Sequence, residues 1–91
     1  MSTQDEIVKV CDYVKALLLE KNAAYGDSAL KPIGIFSSGS ALGLIRARID
    51  DKLNRIKNDD VPGESIMDTR LDLIGYLVLE LIAMGWKPNE H

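Results

Sequence analysis

Three groups of polar residues in this chain have the types and spacings that do chemistry. Glu64, Asp68 and Asp72 recur every four residues, so on a helix they form a slanted row of carboxylates along one face. Like charges at that spacing repel by a few tenths of a kcal/mol, and a hard divalent cation held by carboxylate oxygens would offset the repulsion. A position near a helix N-terminus, where the dipole favours acids, accounts for Glu64 and Asp68 without a ligand. It does not account for Asp72, which lies further in between Leu71 and Leu73. Asp72 therefore reads as functional.

The second group is Arg48, Asp51, Lys52 and Arg55. Three cations around one carboxylate can hold phosphate oxygens beside a metal ligand. Taken by itself the cluster reads as an exposed helix face laced with ion pairs at i,i+3 and i,i+4, which is the commoner arrangement. The third group, Glu20 to Asp27, crowds polar residues at a helix end that leads into an apolar loop. There Lys21 suits a phosphate, Asn22 a base edge or sugar, and Tyr25 a stacked base. A helix cap with a packed tyrosine is the structural alternative.

Other chemistries lack their residues. The single histidine, His91, is the last residue, and Cys11 is the only cysteine. Cys11 sits in an apolar helical pattern, which predicts a small core residue rather than a reactive thiol. One unpaired cysteine suits a reducing cytosol. The run Ser37-Ser38-Gly39-Ser40 lacks the lysine of a phosphate-binding loop.

The elements that must position these groups read as three helices and two loops. The first helix is predicted from about Asp5 to Ala23, opened by a Thr3–Glu6 capping box and closed at Gly26. Ile7, Cys11, Val14 and Leu18 mark its buried stripe. Asp27 to Ser38, with Pro32 and Gly34, is predicted as a loop folding back onto the helices. A second helix follows the serine cluster, with Leu42, Ile45, Ile49, Leu53 and Ile56 inward. A turn over Asn58 to Gly63 leads to a third helix from about Glu64 to Met84, stopped by Gly85 and Pro88. Met67, Leu71, Ile74, Val78 and Leu81 are predicted to line its buried side, extended by Ile66, Leu73, Leu77 and Met84. From Leu73 to Leu79 that helix has no charge on any face. Three helices can hardly surround it, which predicts an oligomer.

Length and composition agree. Ninety-one residues make one domain near the lower size limit for folding alone, so help from partner chains is expected. A formal charge of −3 argues against general binding to a DNA or RNA backbone, leaving room for a local cationic patch. The polar, acidic N-terminus predicts no targeting peptide, and no apolar run approaches the roughly 20 residues of a membrane span. The expected location is the cytoplasm.

The three groups occur in the order Lys21-Asn22-x-x-Tyr25-Gly26-Asp27, then Arg48-Ile49-x-Asp51-Lys52-Leu53-x-Arg55-Ile56, then Glu64-Ser65-x-x-Asp68-Thr69-x-x-Asp72-Leu73-Ile74-Gly75-Tyr76. That ordered pattern resembles the nucleotide modification associated domain 1 family, small proteins common in bacteriophages, and covers nearly the whole chain. The family in turn resembles the all-α nucleoside triphosphate pyrophosphohydrolases of the MazG and dimeric dUTPase group. Those enzymes hold magnesium with acidic residues on two neighbouring helices, and the metal activates water and neutralises charge. They show a Glu-x-x-Glu pair followed by Glu-x-x-Asp. This chain departs from them: Glu64 and Asp68 are one residue too far apart, and no Glu-x-x-Glu occurs.

The expectation is thus a single all-α domain over residues 1–91, a three-helix chain forming a helical bundle completed by homo-oligomerisation, that binds a nucleotide. Two uses follow. As a magnesium-dependent pyrophosphohydrolase-like enzyme of phage or bacterial origin, it would bind the metal through Asp68, Asp72 and Glu64, with Glu20 or Asp51 completing the shell. Lys21, Arg48, Lys52 and Arg55 would hold phosphates, and Asn22 and Tyr25 the nucleoside. As a non-catalytic viral protein, in the host cytoplasm, it would sequester a signalling nucleotide with the same cations and aromatic residues.

Overall fold

The computed structural model describes residues 2–32, 39–58 and 65–90. Three helices carry most of them: α1 Thr3–Ala24, α2 Ala41–Lys57 and α3 Ile66–Ala83, followed by a 3-10 turn over Pro88–Glu90. No described residue lies in a strand, so the chain is all-α as expected.

Each helix begins where a serine hydroxyl can accept from the otherwise unpaired amides of the first turn. Ser40 Oγ accepts from the Gly43 amide at 3.0 Å. Ser65 Oγ accepts from the amides of Met67 and Asp68 at 3.1 and 3.2 Å. At α1 the capping box is one residue earlier than expected. Ser2 Oγ accepts from the Asp5 amide at 3.1 Å, and the Ser2 amide donates to Asp5 Oδ2 at 3.3 Å. This register puts both Asp5 and Glu6 in the first turn, where the dipole favours them.

The ends of α1 and α3 follow one pattern. Gly26 donates to the Ala23 carbonyl and Asp27 to that of Asn22; Gly85 donates to Ile82 and Trp86 to Leu81. Both are Schellman closures, which place the residue after the cap in the left-handed region. Gly26 and Gly85 occupy it at φ 60° and 81°.

The core is small. Ile45, Ile49 and Leu79 form its buried cluster, with Leu18, Leu73 and Tyr76 packed around it. Ala29 and Leu30 also pack there, so this part of the loop does fold back; residues 33–38 lie outside the described residues. Helix α3 packs along α2 and more sparsely on α1, while the backbones of α1 and α2 stay apart.

The buried side of α3 differs from the predicted one. Its buried residues are Thr69, Gly75 and Leu79, and small Thr69 and Gly75 let neighbouring helices come close. The Thr69 hydroxyl is satisfied by the Ser65 carbonyl at 3.3 Å. Met67, Ile74, Val78 and Leu81 instead face outward and are exposed, as are Ile66, Leu77 and Met84. Cys11 is likewise exposed rather than in the core, because the contact between α1 and the rest of the chain buries Val14 and leaves Ile7 and Val10 open. Among the described residues no helix is long and apolar enough to cross a membrane.

Candidate functional site

Because the backbones of α1 and α2 both approach α3 but stay apart from each other, a cleft of about 620 Å³ opens between them. Val14, Leu17 and Leu18 of α1 and Leu44 and Ile45 of α2 form its apolar walls, and Leu71, Asp72, Gly75, Tyr76 and Leu79 of α3 form its floor. Lys21, Asn22, Tyr25 and Arg48 line it as well. Gly75 matters to this shape: a Cβ there would stand 3.3 Å from Leu18 Cδ1.

The polar side centres on Asp72. Its Oδ1 accepts from Lys21 Nζ at 2.8 Å, and its Oδ2 lies 3.2 Å from Lys52 Nζ. One carboxylate on α3 thus draws together a lysine from the last turn of α1 and a lysine from α2. The Lys52 side chain is only 11% exposed and that of Asp72 24%, so these charges are partly withdrawn from water and their attraction is less screened. Burial alone would raise the Asp72 carboxyl, but hydrogen bonds from Lys21 and Lys52 and their positive charges outweigh it and hold the group below the usual carboxylate range. The hydrogen bond to Asp72 raises the Lys21 ammonium above its ordinary value, against a smaller opposing effect of burial.

At the end of α1, Asn22 Nδ2 donates to Asp27 Oδ1 at 2.9 Å. Asp27 itself holds φ at 62°, and the Leu30 and Lys31 amides donate to its carbonyl. This network fixes the turn that carries the exposed ring of Tyr25 past the cleft.

The structure brings together Lys21, Asn22, Tyr25, Arg48 and Asp72 around the cleft, with Lys52 joined through Asp72. It does not bring the remaining candidates there. Asp68 is exposed and borders a separate shallow groove with Lys9, Val10, Tyr13 and Met67. Glu20 and Asp51 are exposed and Arg55 half-buried, and none of the three lines the cleft. Glu64 lies outside the described residues.

Of the side chains expected around magnesium, Asp72 is engaged by lysines and Glu64 lies outside the described residues. Both oxygens of Asp72 are occupied by lysine ammoniums, and among the described residues no three acidic, cysteine or histidine side chains are grouped to hold a metal. Two polar residues of the cleft, Ser28 and Tyr76, are not among the candidates the sequence offers. Tyr76 could have been found one helical turn beyond Asp72, on the same face; Ser28 carried no signal.

No family model matches the chain, and no curated protein or solved structure does either.

Proposed function

We propose that this chain is a nucleotide-binding protein whose cleft takes a nucleoside phosphate. Lys21 and Arg48 face the phosphates, with Lys52 behind them on Asp72, and Asn22, Tyr25 and Tyr76 face the nucleoside. The observation that carries this reading is the convergence of residues from all three sequence groups. Asp72 ties Lys21 to Lys52 beside a cleft that also holds Asn22, Tyr25 and Arg48. An acidic protein that binds a polyanion must concentrate its cations locally, and Lys21 and Arg48 do so beside the apolar cleft, with Lys52 joined through Asp72. The mixture of apolar walls with a few convergent polar groups is the usual make-up of a small-molecule site.

The ion pairs favour binding over metal-dependent turnover. Magnesium at Asp72 would have to displace two ammoniums, whereas a phosphate approaching Lys21 and Lys52 meets groups already positioned. The resemblance to pyrophosphohydrolases supports the catalytic alternative. Incubation with a panel of nucleotides, with and without magnesium, separates the two. The expected result is intact nucleotide retained by the protein in either condition. Magnesium-dependent release of pyrophosphate would reject binding-only use, and no retention of any nucleotide would reject the site.

A further inference from the structure

We propose that Asp27 is a positioning residue that sets the base selectivity of the cleft: it holds the Asn22 amide in one orientation, which leaves Asn22 Oδ1 to accept from the exocyclic amino group of a base. The inference rests on the nucleotide reading and narrows it to nucleotides whose bases carry an amino group.

An asparagine carries a donor and an acceptor on one side chain, and the turn of its amide decides which it offers a ligand. At Asn22 that turn is fixed by a neighbour. Asn22 Nδ2 donates to Asp27 Oδ1 at 2.9 Å, and a carboxylate only accepts, so the nitrogen end is committed to Asp27. Asp27 is itself held in place. Its Oδ2 lies 3.9 Å from Lys31 Nζ, its backbone sits at φ 62°, and its carbonyl accepts from the Leu30 and Lys31 amides. At the other end of the amide, Asn22 Oδ1 has no partner among the described residues.

Asn22 and Tyr25 stand three residues apart at the end of α1, and both line the cleft. Side chains at that spacing are neighbours, so a base lying on the Tyr25 ring turns its edge toward Asn22. There an amino group donates to Oδ1, whereas a carbonyl oxygen sets acceptor against acceptor. The other polar groups of the cleft do not make this distinction. Lys21 and Arg48 only donate, and the hydroxyls of Tyr25, Ser28 and Tyr76 rotate to suit either polarity. Both oxygens of Asp72 already face lysine ammoniums.

Calorimetric titration of the wild-type chain with two pairs of nucleotides tests the proposal: adenosine against inosine triphosphate, and cytidine against uridine triphosphate. Each pair sets an amino group against a carbonyl oxygen at the base edge. The amino member should bind about tenfold more tightly, the scale of one hydrogen bond gained and one facing pair of acceptors avoided. Asp27→Gly suits the positive φ and releases the amide to turn either way, so the preference should shrink to within about twofold. Asn22→Ala, at an exposed position, should erase it as well by weakening the amino members alone. If Asp27 only braces the turn, Asp27→Gly will weaken all four nucleotides alike and leave the ratio standing, which overturns the proposal. Equal wild-type binding within each pair also overturns it, and leaves the nucleotide reading intact. Failure of all four to bind the wild-type chain overturns that reading and this inference with it.

Discussion

Lys52 Nζ stands 3.2 Å from Asp72 Oδ2 with most of its side chain covered, while Lys21, on the other oxygen of the same carboxylate, is 45% exposed. The two lysines therefore depend on Asp72 unequally. Removing one partner of a buried pair leaves an uncompensated charge and costs about 3–5 kcal/mol; exposed pairs contribute about 0–1. Asp72→Asn falls between these limits and is expected to lower unfolding stability by about 1–2 kcal/mol in a urea titration. It should also tighten phosphate binding at low salt, because one negative charge beside Lys21 is removed. A metal ligand at this position would instead show lost binding in the same variant.

The same carboxylate sets a pH dependence. A group whose folded pKa is depressed contributes stability that is present above its unfolded value, about 3.9 for aspartate, and lost as pH falls through the folded value. Asp72 is such a group, with burial opposing and the two lysines dominating. Stability should fall on acidification below about pH 4, and the Asp72→Asn chain should show a shallower fall. Lys21 is raised by its hydrogen bond to Asp72, so its contribution is present below about 10.4 and lost only as pH rises through a still higher value.

Arg48 and Lys21 supply separable contacts. Truncating a charged contact to phosphate costs about 1.5–3 kcal/mol, roughly tenfold to over a hundredfold in affinity. Arg48→Ala is expected to weaken nucleotide binding by that order with stability unchanged, since Arg48 is exposed. Lys21→Ala should weaken it comparably and lower stability slightly through its pair with Asp72. Calorimetric titration with the best nucleotide of the panel decides; unchanged affinity in both variants removes the phosphate assignment.

Tyr25 is 69% exposed, so its loss should alter stability by no more than about 0.5 kcal/mol. Stacking of a base on an aromatic ring contributes about 1–3 kcal/mol. Tyr25→Ala should lose that much affinity while Tyr25→Phe keeps most of it, measured against the same ligand.

Gly75→Ala tests the floor of the cleft. Alanine favours a helix interior over glycine by about 0.8–1.0 kcal/mol. The new methyl would press on Leu18 at 3.3 Å, but Leu18 borders open space and can turn into it. Thermal unfolding should show a net gain of about 0.5 kcal/mol, accompanied by weaker ligand binding as the slot narrows.

Asp72 was legible because a carboxylate between two leucines in the most apolar helix has no cheap solvated explanation. Lys21, Asn22, Tyr25 and Arg48 were legible from local crowding of polar types. What faces Asp72 was not, because the register of α1 and α2 against α3 is set by tertiary packing. Four-residue spacing groups Asp68 with Asp72 as neighbours on one helix, yet the drift of the row carries Asp68 to another groove. The buried side of α3 was misread for a related reason. Periodicity weighs large apolar residues, and here Thr69 and Gly75 join Leu79 on the buried side while Ile74, Leu77, Val78 and Leu81 lie outward.

That α1 leans on α3 without reaching α2 has a consequence for the order in which the chain comes apart. Segments with few buried contacts open locally at lower free energy than the rest of a domain. Backbone amides in the C-terminal half of α1 should therefore exchange with deuterated solvent ahead of those around Ile45, Ile49 and Leu79, with the Lys21–Asp72 pair as the main tether resisting that opening. A ligand gripped between Lys21 and Arg48 would have to be released before α1 could detach. The exchange rate of α1 would then report occupancy of the cleft directly, on unlabelled protein and with any nucleotide.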